Sequence, residues 1–502
     1  MINSEKNMDN KIRPLVFVFG LILFFYYNLL SSNYYYIDDI GRSLEGYSGW
    51  SRNGRPLADL FFYALSFGAP LPDISPLPQI LGIAFLSVGV YLTAKKYICR
   101  TEDNFLSYLL CIPLVLSPFY FENMSYKYDA FPMSLSIFFS MLPFIIRING
   151  PLIQLTVCVI SILTSLCLYQ ASINVYVIYT MLYVLNKFKE GKDFDGFKAI
   201  GLSITGLLLG YFIYSWLISP RFVEGDYNLK HSQISSFELD SLSNAVFGNF
   251  KIFYYVLSTS MSTTLLTLIL IIACMALIGA VRLCCEKSES TGIIRILRNA
   301  IIILSPFIVL LMIAGPMLLL KSAVVSARVF VAFGAVLVFY NILACWMFGL
   351  RSKIMWFLSI MYLIYMAGAA FSYGNALDNQ EKYDNEVIAT IISDLNSNNL
   401  ANAKYISFVG MLPISPEGRL AIKKYPFLAH LIHPTINGRW SWGLRHIKHF
   451  DMKHDFNSGE YYANLKNNLC DYAPVTNGIV FNSYYDKSSD SVIYDFTKKL
   501  CI

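Results

Sequence analysis

The feature that most restricts the fold of this chain is a succession of apolar runs, several longer than the roughly 18–20 residues a helix needs to cross a bilayer. They fall at about 14–30, 77–94, 105–121, 131–148, 151–169, 172–186, 199–218, 252–281, 300–320, 329–349 and 354–373. The 172–186 run is short and follows its predecessor tightly. Charged residues make up only 14% of the chain, against about 25% in soluble globular proteins. Aromatics reach 16%, and many Tyr and Phe stand at the ends of the runs, where interfacial belts form. These patterns predict a mainly α, polytopic membrane helical bundle of about eleven transmembrane helices. No internal repeat and no zinc-type cysteine spacing is present.

Loop charge sets the expected orientation. With a cytoplasmic N-terminus, the short inside segments hold 17 basic residues and the outside loops nine. The inside set is Lys6, Lys11, Arg13, Lys95, Lys96, Arg100, Arg147, Lys187, Lys189, Lys192, Lys198, Arg282, Lys287, Arg295, Arg298, Arg351 and Lys353. The net charge of +6 is thereby explained without nucleic acid. The basic start and first run resemble a signal peptide, but 31–33 is a poor cleavage site, so the run reads as an uncleaved anchor. An odd number of spans puts the C-terminal residues outside. The expected organisation is a membrane domain, 1–373, with a long outside first loop, 31–76, followed by a small α+β domain, 374–502. In that tail, 385–395 patterns as a helix, 405–409 as a buried strand, and 479–484 with 492–496 as a hairpin. Cys470 and Cys501, alone in the tail, are expected to form a disulfide in an oxidising compartment, worth roughly 3 kcal/mol through loop closure. The alternative is two buried thiols.

Candidate chemistry gathers on the outside face. Asp38 and Asp39 stand just beyond the first span, and a carboxylate there can act as general base or orient an acceptor. Arg42, Arg52 and Arg55 follow in the same loop, and guanidinium forks suit phosphate oxygens, unless they pair with the carboxylates instead. Pro56 and Asp59 start a helix of about twelve apolar residues that Gly68 stops; too short to span, it is expected to lie in the membrane interface. The second outside loop adds Glu122, Tyr126, Lys127, Tyr128 and Asp129, either as ligands or as anchors. Gln170 at the next outside turn either caps a helix or binds a sugar hydroxyl. Lys321 and Arg328 run against the charge rule, which favours a phosphate role. His446 and His449 share one helix face, but no third ligand completes a metal set. Trp440 and Trp442, in 438–443, suit either core packing or sugar stacking.

Three stretches of the first loop carry a resemblance. Asp38-Asp39-Ile40-Gly41-Arg42, Gly46-Tyr47 with Trp50, and Asn53-Gly54-Arg55-Pro56-Leu57 resemble the serotype-converting glucosyltransferases of phages and genome islands, which modify the O-antigen of enteric bacteria. Tyr128-Asp129-Ala130, Pro132-Met133, Tyr169-Gln170-Ala171-Ser172, the late Arg328 and, more loosely, 409–413 extend the likeness. The resemblance implies a GT-C-type fold in the bacterial inner membrane and no cofactor. It implies transfer of glucose from undecaprenyl phosphate glucose to an O-antigen hydroxyl on the periplasmic face, with inversion and a first-loop carboxylate as base. Asp39 is favoured over Asp38, being further from the span and nearer Arg42. The implied partners are the lipid-linked donor, the O-antigen acceptor, membrane lipid, and the flippase and donor-synthesising enzyme of the pathway. A transporter of lipid-linked sugar would instead need charges within its spans, and these spans carry almost none. An O-antigen polymerase would more naturally carry a large late loop than a folded tail.

Overall fold

The structure, a computed structural model, describes residues 2–99, 104–236, 238–438, 440–457 and 459–498. Arg100, Arg439 and Cys501 lie outside the described residues. Eight described helices are long and apolar enough to cross a membrane: Ile12–Ser31, Leu77–Tyr97, Pro151–Leu168, Asp193–Phe222, Thr263–Cys284, Gly292–Leu311, Ala327–Phe348 and Lys353–Ser397. Shorter apolar helices run over Pro56–Ser66, Phe105–Leu114 and Ala130–Ile145, and the short 172–186 run forms the helix Ile173–Lys189. The chain is therefore a mainly helical membrane protein ending in a small sheet.

Two of the expected spans differ in kind. The 105–121 run is not one helix. It breaks into Phe105–Leu109, a 3-10 turn Ile112–Leu114, an irregular stretch and Tyr120–Ser125. Pro113 and Pro118 supply no N–H, so a continuous ladder is impossible. Irregular backbone at membrane depth survives only where protein satisfies it. Residues 106–108 and 110–134 are buried, and side chains from distant helices serve the freed carbonyls. Tyr26 donates to the Val115 carbonyl at 2.6 Å, Tyr362 to Leu116 at 2.6 Å and Asn341 to Leu110 at 2.9 Å. The 252–281 run is likewise two helices, Leu239–Ser260 and Thr263–Cys284, split where Ser262 caps the second by accepting the Leu265 N–H at 3.2 Å. The first of the two starts beside the bridge between Ile234 and Leu320 and ends where Thr259 meets His430 at 3.0 Å.

Contacts sort the connecting segments into two faces. On one, Lys96 donates to the Ile146 carbonyl at 2.8 Å, Trp346 to that of Tyr97 at 2.9 Å, and Lys189 lies 4.6 Å from the Trp346 ring. The same face holds an ion pair with both side chains fully buried, Arg298 to Asp193 at 3.1 Å. Asp193 also accepts from Ser288 at 2.6 Å and Ser290 at 2.7 Å, so one carboxylate ties two helix starts and the loop between them. The opposite face carries the first loop, 122–129, 169–170, 320–330 and the tail.

The tail is joined to the bundle by Lys353–Ser397, a single helix of 45 residues. The expected boundary at 373 falls inside it, and the expected helix 385–395 is its last part. Its membrane half packs on Ile2–Ser31 so closely that a Cβ on Gly374 would lie 2.7 Å from the Asn28 Cβ. Its far half buries Val387, Ile388, Ile391 and Leu395 against a four-stranded sheet. The strands are β1 (Tyr405–Val409), β2 (Ala473–Asn477), β3 (Asn482–Asp486) and β4 (Ser491–Asp495), in the order β1-β4-β3-β2. β1 pairs parallel to β4, and the others are antiparallel. The expected strand and hairpin are present as β1 and β3–β4. Cys470 is disulfide-bonded.

Replacing Arg298 with Met leaves the Asp193 carboxylate buried without its cation. The expected cost is about 3 kcal/mol or more, read as a large fall in the melting temperature of detergent-purified protein. Arg351→Met, at an exposed position on the same face, should shift it little.

Candidate functional site

Beyond the first helix the chain runs extended through Tyr34 to Tyr36, and Ile37 turns it with a positive φ of 49°. A short helix, Asp39–Glu45, then forms and ends at Gly46 in the left-handed region. The loop that follows is organised from below by Asp59. Its carboxylate accepts the N–H groups of Gly49 at 3.0 Å, Trp50 at 3.3 Å and Ser51 at 2.6 Å, and the Ser51 hydroxyl as well. Asp59 thus does more than favour a helix dipole: it holds Trp50 in place. The Pro56–Ser66 helix stops at Phe67, one residue before Gly68, and leaves Leu60 and Phe67 exposed.

Two charge groups result. In the first, Arg42 bonds Asp129 at 2.6 Å, and the other Asp129 oxygen accepts the Trp50 indole N–H at 2.8 Å. The Arg42 guanidinium also lies 4.1 Å from the Trp50 ring. Asp39 is fully buried. One of its oxygens accepts the Lys127 N–H at 2.6 Å, and the other stands 3.9 Å from Arg42 with no hydrogen bond. Burial, reinforced by the Asp129 charge, pushes the Asp39 carboxyl well above the usual range, with Arg42 opposing. Asp38, at the start of the same helix, is half-buried, and its carboxylate makes no hydrogen bond or ion pair among the described residues. Burial would lower the Arg42 pKa, and the charges of Asp129, Asp38 and Asp39 hold it up.

The second group is cationic. Arg55 donates to Gln170 at 2.9 Å and lies 4.7 Å from the Tyr169 ring. Gln170 is itself fixed by the Asn53 carbonyl at 2.9 Å and the Tyr214 hydroxyl at 3.0 Å, so it aims the guanidinium. Arg328 bonds the Tyr126 hydroxyl, and its backbone N–H donates to Glu122 at 2.5 Å. Neither Arg55 nor Arg328 has a carboxylate ion pair among the described residues. Burial lowers the Arg55 pKa, and the Arg328 charge adds to that. Two desolvated cations close enough to repel would each be favoured by an anion between them. Burial pushes Glu122 up to about 7, against the opposing Arg328 charge.

Other candidates lie apart. Arg52 is exposed and pairs with Glu224 at 3.7 Å, tying the first loop to the 219–251 segment. Lys321 is exposed on the bridged strand-like segment. The Lys127 ammonium turns to the Asn33 carbonyl at 3.1 Å and to the Tyr35 ring at 4.3 Å, where it braces the loop. His446 bonds Thr435 at 2.7 Å, while His449 bonds the Ile40 carbonyl at 3.3 Å. The two imidazoles therefore tie the tail together and to the first loop. Sequence reasoning missed the loop-holding role of Asp59 and the hydroxyl that Tyr126 turns to Arg328. The first is a through-space effect over eight to ten residues, which the Gly-rich stretch before it could have suggested.

The profile of the glucosyl transferase family GtrII matches residues 27–339. The chain belongs to this family. A protein of Salmonella phage P22, described as an uncharacterized 55.3 kDa protein in the gtrB 5′ region, is 30% identical over 441 residues, covering 87% of this chain and 89% of its own length. No solved structure matches. All residues of the two charge groups fall within the GtrII match, and the tail falls outside it. As a member of a glucosyl transferase family, the chain is a transferase.

Glu122 offers a pH test of this geometry. Its carboxyl holds a proton more tightly folded than unfolded, so its contribution is complete below about 4.5 and is lost as pH rises through about 7. Glu122→Gln mimics the protonated form. Its melting temperature relative to the parent protein should therefore climb between pH 5 and 8; a constant difference across that range would contradict the assignment.

Proposed function

We propose that the chain transfers glucose from undecaprenyl phosphate glucose to a hydroxyl of an O-antigen sugar, with inversion, on the face that carries the two charge groups. The observation that carries this reading is the pair of cations, Arg55 and Arg328, with no carboxylate ion pair among the described residues, on the face that also bears the half-buried carboxylate of Asp38. Membership of a glucosyl transferase family supports it further. The donor's phosphodiester binds Arg55 and Arg328, and its polyprenyl chain lies among the apolar helices. The acceptor oxygen attacks the anomeric carbon as its proton passes to Asp38. The bond from that carbon to the phosphate oxygen breaks, and the lipid phosphate leaves with one more negative charge. Fixed guanidiniums favour that charge more in the transition state than in the ground state. In this reading the base is Asp38 and not Asp39, contrary to the expectation from chain position. Asp39 is buried and engaged by Lys127, so it positions Arg42 and the short helix.

General-base removal costs roughly 10²–10⁴ in rate. Asp38→Asn should therefore abolish glucose transfer by purified protein while the donor still binds. Asp39→Asn resembles the protonated form of a carboxyl whose pKa is raised, so it should lose far less. Arg55→Lys keeps the charge but not the fork and should fall by about 10²-fold. Wild-type transfer by Asp38→Asn, or by Arg55→Ala, would refute the respective role.

Counting the broken 105–121 segment as one passage and leaving Leu239–Ser260 on the surface gives eleven passages, which supports a tail opposite the N-terminus. We read that side as the periplasm and the membrane as the bacterial inner membrane. A periplasm-active reporter fused after Phe371 should be on, and one fused at Lys192 off. The reverse pattern would put the charge groups in the cytoplasm, away from the acceptor.

A further inference from the structure

We propose that Trp440 and Trp442 form the platform on which the acceptor saccharide chain stacks, a subsite on the tail that works with the first-loop site. The proposal rests on the glucosyl-transfer reading above. The two indoles stack with centroids 5.4 Å apart and planes 14° from parallel. Core packing would bury them, but Trp440 is 42% exposed and Trp442 half-buried. The stack is thus partly open to solvent. Pyranose rings have an apolar C–H face and a hydroxyl rim, and an indole offers the matching apolar face with a donor at its edge.

The platform is preorganised. The Trp440 N–H donates to the Asn437 side chain at 2.8 Å, the Gly438 N–H to the Gly410 carbonyl at 2.7 Å, and Met411 bridges Asn437. Gly438 presses so closely on the Phe408 carbonyl that a side chain there would collide with it. The loop bearing the indoles is therefore pinned to the end of β1 before any ligand arrives, which limits the entropy lost on binding.

The platform is also joined to the reacting groups. Trp442 opens the helix Trp442–Lys448, which packs on Asp39–Glu45. Arg445 fills the space where a Gly41 side chain would stand, and its guanidinium donates to the Tyr47 hydroxyl at 3.1 Å. The Tyr47 ring lies 5.7 Å from the Arg445 guanidinium and 5.6 Å from that of Arg42. His449 stacks on Tyr35 at 5.5 Å. A helix of seven residues spans about 10 Å, so the indoles stand within a short saccharide's reach of Asp38. A membrane anchor is the other use of exposed Trp. Beside Trp442 stand Ser441 and Gly443, and Leu444 and Ile447 are buried in the core of the tail. Met411 and Phe450 are the exposed apolar side chains an anchor would use, so the vesicle arm of the test decides between the two uses.

The test compares full-length wild type, Trp440→Ala, Trp442→Ala and Trp440→Phe. Initial glucose-transfer rates are measured against O-antigen concentration with donor saturating, and tryptophan fluorescence is followed on adding O-antigen without donor. The alanine variants should raise the acceptor KM about tenfold, leave the donor KM and the saturating rate unchanged, and lose part of the fluorescence response. Trp440→Phe should restore most of the affinity. An unchanged acceptor KM in an active Trp440→Ala protein overturns the platform. So does a fall in kcat with a matching change in donor KM, which marks a structural role. Weaker binding to phospholipid vesicles with normal acceptor KM overturns it in favour of an anchor. If wild type transfers no glucose, the glucosyl-transfer reading fails, and the fluorescence arm still decides whether these indoles bind the glycan.

Discussion

The site depends on one buried contact, the bond from Arg42 to Asp129. It spans 87 positions of sequence and joins the first loop to the second at a point where both groups are largely shielded from water. Burying both charges is costly, and attraction alone rarely compensates for it. Here the Trp50 indole offsets part of that cost: the second Asp129 oxygen accepts its N–H, and Arg42 covers its face, although the Arg42 Nε–H is buried without a hydrogen bond. Trp50 is in turn held by Asp59. One guanidinium therefore fixes the short helix that bears Asp38 and Asp39. Arg42 is consumed in this way, whereas Arg55 and Arg328 have no carboxylate ion pair among the described residues.

The apolar bundle serves the same end. Its departures from regular helix are confined to places where protein supplies the missing hydrogen bonds, as Tyr26, Tyr362 and Asn341 do for the broken segment before Glu122. That break lets the chain turn and present Glu122, Tyr126 and Asp129 in a short stretch. A straight helix through the same residues would have kept them on one face but strung them over about 10 Å of its length.

Much of this was legible in the sequence because the bilayer imposes length and composition on whatever crosses it. The apolar runs, the strand at 405–409 and the late hairpin all follow from local pattern. The two broken runs did not, since hydropathy averages over a window and cannot see that Pro113 and Pro118 interrupt the ladder or that Ser262 caps a new helix. Asp38, Arg55 and Arg328 were recognisable as chemistry by residue type and position. Which of Asp38 and Asp39 is buried was not, because adjacent residues differ only in which way the helix turns them. Arg52 and Lys321 shared the composition of the site without its geometry, and only their exposure separates them from it.

The unbroken helix from Lys353 to Ser397 gives the tail a property that a flexible linker would have denied it. At roughly 1.5 Å and 100° per residue, its 45 residues form a stiff shaft. The tail's angular setting over the membrane body is thus encoded as phase. Inserting one residue between Gly374 and Asp384 would lengthen the shaft trivially yet turn the sheet by more than a quarter of a revolution, carrying Arg445 away from Tyr47. Natural variation in this stretch is thereby constrained to substitutions, or to insertions near whole turns, and the tail can diversify its surface only by keeping time with the bundle.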